Sequence, residues 1–96
     1  MYQIYVQFKC LNGKREAFVD ALKKEGILNA IRNEDGCHRY DYYFSEADST
    51  ELLLIEAWES REPQQIHLTQ PHMARLREIK GDYVEATVLG EFSLKK

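Results

Sequence analysis

The chain has 96 residues, 44% hydrophobic, 30% charged and 11% aromatic, with a net charge of −3. That length predicts one domain over residues 1–96; no run approaches the ~20 apolar residues of a membrane-spanning helix, and the scattered basic residues offer no stripe for nucleic acid. So short a chain buries only about two-thirds of the surface it exposes when unfolded, and association with a second copy is a common remedy.

Met1 to Ile4 runs straight into an alternating pattern, with no basic stretch followed by an apolar one. No signal peptide is read there, and the expected compartment is the cytoplasm. Tyr2, Ile4, Val6, Phe8 and Cys10 alternate with Gln3, Tyr5, Gln7 and Lys9, which predicts a strand over 2–10 with one apolar side. Asn12-Gly13 ends it. From Lys14 the period lengthens, and Ala17, Phe18, Ala21 and Leu22 form the stripe of an amphipathic helix. Gly26 interrupts that helix, and a short second piece carries Ile27, Leu28 and Ile31. Asn33-Glu34-Asp35-Gly36 is turn chemistry.

Cys37 to Ser45 reads as the second strand, with Tyr40, Tyr42, Tyr43 and Phe44, and Glu51 to Glu59 as the third, the two joined by a tight hairpin. Ser60 is placed to cap a helix with its hydroxyl, Pro63 falls in the first turn, and a kink is expected at Thr69-Gln70-Pro71. Met73, Leu76 and Ile79 continue the apolar face to Gly81. The last strand is expected over Tyr83 to Leu94, with Val84, Ala86, Val88, Phe92 and Leu94 on one side.

The order βαββαβ predicts an α+β, ferredoxin-like fold: one four-stranded antiparallel sheet with the helices on one face. Leu52-Leu53-Leu54-Ile55 is continuously apolar, so this strand meets apolar surroundings on both faces. Helices cover one face only. A homodimer meeting sheet to sheet, a dimeric α/β-barrel, covers the other; the alternative leaves Leu52 and Leu54 partly exposed. Cys10 and Cys37 form no C-x-x-C pair and read as buried free thiols.

Three stretches together resemble the antibiotic-biosynthesis-monooxygenase family. They are Gly13-Lys14 with the helix carrying Phe18 and Leu22; Gly36-Cys37-His38-Arg39-Tyr40; and Glu56-Ala57-Trp58-Glu59-Ser60 continued by His67-Leu68-Thr69-Gln70-Pro71-His72-Met73. The resemblance spans nearly the whole chain and is more specific for fold than for reaction. Members of the family resemble one another while acting as quinol or anthrone-type oxygenases, haem-degrading enzymes or isomerases of the phosphorylated autoinducer-2 signal. The haem-degrading branch resembles this chain but carries Asn, Trp and His where Gln7, His67 and Arg77 stand here, which argues against haem.

The resemblance implies an oxygenase of small electron-rich aromatics that needs neither metal nor flavin. It would deprotonate its substrate and let the anion react directly with dioxygen. His67 is the candidate base, since an imidazole titrates near neutrality; a half-buried histidine bonded to backbone is the other reading. His72 is a candidate substrate contact or a residue stabilising the second helical piece. Trp58 is a pocket wall with a free N–H donor, or a core tryptophan. Tyr5 and Gln7 share one face of the first strand, and Arg39 and Tyr43 one face of the second with Asp41, so these four line a cavity if that face does. Arg39 would then hold an anionic oxygen; otherwise it forms a surface ion pair with Asp41. No metal site is expected, because His38, His67 and His72 offer no i, i+4 pair. Two rival functions remain: isomerisation of a small phosphorylated carbonyl compound with Arg39 as anchor, and a non-catalytic dimeric module that binds a metabolite.

Overall fold

The computed structural model describes residues 1–93. Strands β1 (Tyr2–Cys10), β2 (Cys37–Phe44), β3 (Glu51–Trp58) and β4 (Val84–Glu91) form one sheet in the order β2-β3-β1-β4, every neighbouring pair antiparallel. Helices α1 (Arg15–Lys24) and α2 (Ile27–Arg32) cross between β1 and β2; α3 (Arg61–His67) and α4 (Pro71–Lys80) cross between β3 and β4. This is the expected βαββαβ fold, with each crossover broken into two helices. Gly26 makes the first break by adopting a φ of +72°, open to glycine because it has no Cβ. Pro71 makes the second, as the first residue of α4, where its missing N–H costs little.

Register sorts the side chains between two faces. Val6 pairs with Leu54, Phe8 with Leu52 and Ile4 with Glu56; Tyr40 pairs with Glu56 and Tyr42 with Leu54. These residues point at the helices, where Phe18, Leu22, Leu28, Ile31, Met73, Leu76 and Ile79 complete the core. Both Leu52 and Leu54 are therefore buried beneath the helices. The apolar residues of β3 on the uncovered face are Leu53 and Ile55, paired across to Gln7 and Tyr5 and to Tyr43 and Asp41.

Two details differ from the sequence expectation. Ser60 takes the extended backbone of an N-cap, but its hydroxyl makes no capping hydrogen bond. The last strand ends at Glu91, and past it the Phe92 N–H donates to the Gln3 C=O at 3.3 Å. As the edge strand β4 is mostly exposed on both faces, Val88 included at 57%; Leu94 lies outside the described residues.

Candidate functional site

The site forms where the turn after α2, the end of β3 and the α3–α4 junction meet. The turn is held by backbone bonds, Glu34 N–H donating to Ile31 C=O at 3.0 Å and Cys37 N–H to Glu34 C=O at 3.1 Å. Gly36 closes it with a φ of +81° and lies directly against Pro63: a Cβ there would stand 2.7 Å from Pro63 Cβ. That contact seats the start of β2 against α3 and brings the Glu34 carboxylate over the junction.

Two histidines converge on one oxygen of that carboxylate. His67, the last residue of α3, places Nδ1 2.9 Å from Glu34 Oε2; His72, the second residue of α4, places Nε2 2.8 Å from the same atom. A carboxylate only accepts, so each ring presents an N–H to it. This selects the Nδ1–H form of a neutral His67 and leaves Nε2 with its lone pair. His67 is 1% exposed, its ring centroid 4.7 Å from that of Trp58 and 5.7 Å from that of Tyr40. Burial lowers the His67 pKa, against the opposing pull of Glu34, so the neutral ring prevails at neutral pH and the Glu34 contact is a hydrogen bond rather than an ion pair.

A second buried carboxylate faces the same space. Glu56 Oε1 accepts the Trp58 Nε1–H at 2.9 Å. Burial pushes its pKa up to about 7; the Trp58 hydrogen bond opposes the shift and the Glu34 charge adds to it. Trp58 is thus a core residue, fully buried with its N–H satisfied. Beside the junction, an open cleft of about 260 Å³ is lined by Glu34, Asp35, Pro63, Ile66 and Gln70.

The candidate residues named from sequence fall into two groups. His67, His72 and Trp58 come together under the helices. Tyr5, Gln7, Tyr43 and Arg39 share the opposite face of the sheet, where Tyr5, Gln7, Tyr43 and Leu53 line a cleft of about 320 Å³. There the Arg39 guanidinium bonds Asp41 at 3.3 Å and the Tyr43 hydroxyl, in partly exposed positions where such pairs contribute little. Gln7 donates to Glu51, and the Tyr5 ring lies over Gly90, where a Cβ would collide with it.

Sequence reasoning missed Glu34 and Glu56. Glu56 left a readable signal: it shares the parity of Leu52, Leu54 and Trp58, a charge on the apolar face of a strand. Glu34 left only its place in a polar turn, because its partners lie 33 and 38 residues away. With Glu34 the histidines also make a candidate ligand set: His67, His72 and Glu34 donor atoms all lie within 4.8 Å of one another. The α3–α4 break achieves what a single helix with i, i+4 spacing would have done.

Fold and site together define a ferredoxin-like α+β protein with a carboxylate–histidine cluster at a helix break. The chain belongs to the antibiotic biosynthesis monooxygenase family, whose profile matches residues 1–79. It is 31% identical over 83 residues to the Escherichia coli protein named "Probable quinol monooxygenase YgiN", covering 77% of this chain and 78% of that one. Rv0793 of Mycobacterium tuberculosis is 36% identical over 64 residues, 67% of this chain and 62% of that protein; its solved structure superimposes with a TM-score of 0.79 at 27% identity, covering 99% and 95% of the two chains. PA3566 from Pseudomonas aeruginosa shares the fold, with a TM-score of 0.83 at 19% identity over 99% and 94%. No helix among the described residues is long and apolar enough to cross a membrane.

Proposed function

We propose that the chain is a monooxygenase of small electron-rich aromatics of the quinol type, with His67 as the base and Glu34 as the group that orients it. The observation that carries this reading is the Glu34–His67 hydrogen bond. It leaves Nε2 of a neutral, buried imidazole as the proton acceptor, backed by Trp58 and Tyr40. A buried carboxylate–imidazole pair is a standard way to hold a base in one tautomer. The similarity to a relative named as a quinol monooxygenase supports the choice of substrate class.

The chemistry then runs without a cofactor. His67 Nε2 takes the phenolic proton, and the anion passes one electron to dioxygen. Semiquinone and superoxide join at a ring carbon as a hydroperoxide. Loss of water, with the proton returned by His67, leaves a hydroxyquinone, so one quinol and one dioxygen become one hydroxyquinone and one water. Because His67 is closed off, substrate enters by parting of the α3–α4 junction, which the cleft beside Glu34, Ile66 and Gln70 already undercuts. Two copies meet through the uncovered sheet face, which packs Leu53 and Ile55 away from water.

Oxygen uptake with a quinol, measured against a buffer blank across pH, tests the reading. The enzyme-dependent rate rises as His67 loses its proton, through a midpoint below the ordinary histidine value of 6.5, and is level above it. His67→Ala lowers the rate about 100-fold or more, the usual contribution of a general base. A wild-type rate equal to the blank at every pH overturns the proposal. The closure of His67 and Trp58 favours one rival, the non-catalytic metabolite-binding module, in which His67→Ala changes no measured activity. The isomerase reading lacks its anchor at this site, since Arg39 stands on the far face of the sheet.

A further inference from the structure

We propose that Glu34, His67 and His72 form a binding site for one divalent transition-metal ion. The three donor atoms come from three separate elements, the turn after α2, the end of α3 and the start of α4, yet lie within 4.8 Å of one another. Nδ1 of His67 and Nε2 of His72 stand 2.9 and 2.8 Å from Glu34 Oε2. Atoms that far apart subtend about 90° at an ion ~2.1 Å from each, the bond length usual for imidazole and carboxylate ligands. Two nitrogens, each near 90° from one carboxylate oxygen, suit an open transition-metal site whose remaining positions go to water.

The surroundings suit an ion. His67 is held between Trp58 and Tyr40, Glu34 is fixed by its turn, and the side-chain exposures of 2% for His67, 12% for Glu34 and 22% for His72 grade from a closed to an open side. The cleft of about 260 Å³ opens beside the Glu34 carboxylate, between Asp35, Pro63, Ile66 and Gln70. Among the described residues no lysine or arginine pairs with Glu34; the neighbouring Arg77 is engaged with the Leu68 carbonyl at 2.8 Å. Two nitrogen donors favour cobalt, nickel, iron(II) or zinc over magnesium and calcium, which prefer oxygen.

Loading the site has a chemical consequence, which rests on the base role assigned to His67. An ion bonded to Nδ1 displaces the proton there to Nε2, and the ring can no longer accept a proton from a quinol. The metal-free chain is then the active form, and the ion an inhibitor.

Calorimetric titration of the untagged, chelator-stripped chain with cobalt(II), with visible absorption of the bound ion as a second readout, tests the site. We expect one ion per chain, with affinity weakened about 100-fold or more by His72→Ala and by Glu34→Gln, because loss of a ligand costs no less than loss of a group that supports one. His72 is partly exposed and outside the core, and circular dichroism of both variants checks their fold. Absence of binding, or equal affinity in the folded variants and the wild type, overturns the site. Binding that leaves quinol-dependent oxygen uptake unchanged upholds the site and overturns the base role of His67.

Discussion

Glu56 illustrates how one residue can set a pH dependence. Its carboxyl is buried against Trp58, and its pKa in the folded chain, about 7, lies above the ordinary 4.5. A group whose folded value is raised favours the folded state while protonated. Its contribution is therefore complete below pH ~4.5, falls away as pH rises toward about 7, and is level beyond. The difference amounts to roughly 3 kcal/mol at 1.36 kcal/mol per unit. Gln at position 56 keeps an oxygen for the Trp58 N–H and does not ionise. Glu56→Gln should accordingly flatten the stability profile between pH 5 and 8 and gain on the wild type as pH rises, which urea unfolding at a series of pH values measures. A parallel slope in the two proteins would show that Glu56 stays ionised in the fold.

The element on which the site depends is the turn from α2 into β2. Gly36 combines a left-handed backbone with a close approach to the Pro63 ring, and the same residue accepts the Glu59 N–H at 2.8 Å. An alanine methyl would meet both a φ that L-residues rarely adopt and a proline ring that cannot swing aside. Gly36→Ala should cost about 2 kcal/mol, on the order of 10 °C in melting temperature for a domain of this size. The same change should also pull Glu34 from the histidines and depress any activity that depends on them. A thermal melt within a degree of the wild type would rule out the close packing of turn and α3. The break at Pro71 matters in the same way, since a continuous helix from Arg61 to Lys80 would not turn both histidines toward one carboxylate oxygen.

One face of the sheet carries the helices; the other presents Leu53 and Ile55 with Tyr43 and Val88, of which the last two are exposed. An apolar face of this kind on a short chain points to a second copy as its cover. Sedimentation of the wild type should report a dimer, and the double change Leu53→Glu, Ile55→Glu should shift it to monomer at the same concentration by placing charges where the two sheets meet. A wild-type monomer at micromolar concentration would remove the barrel.

By itself the sequence determined the elements, their order and the apolar stripes of β1 and the helices. Alternation over Tyr2–Cys10, the stripe through Phe18 and Leu22 and the breaks at Gly26 and Pro71 are local patterns, written within a few residues by side-chain polarity and backbone freedom. It also picked out His67, His72 and Trp58 as the residues to watch, through family resemblance. Only the tertiary structure decided that Glu34 binds both histidines, that Leu53 and Ile55 rather than Leu52 and Leu54 face away from the helices, and that Arg39 stands on the wrong side of the sheet to reach His67. Those facts depend on strand register and on contacts between residues more than thirty positions apart. A period counts neighbours along the chain, whereas a site is made of neighbours in space.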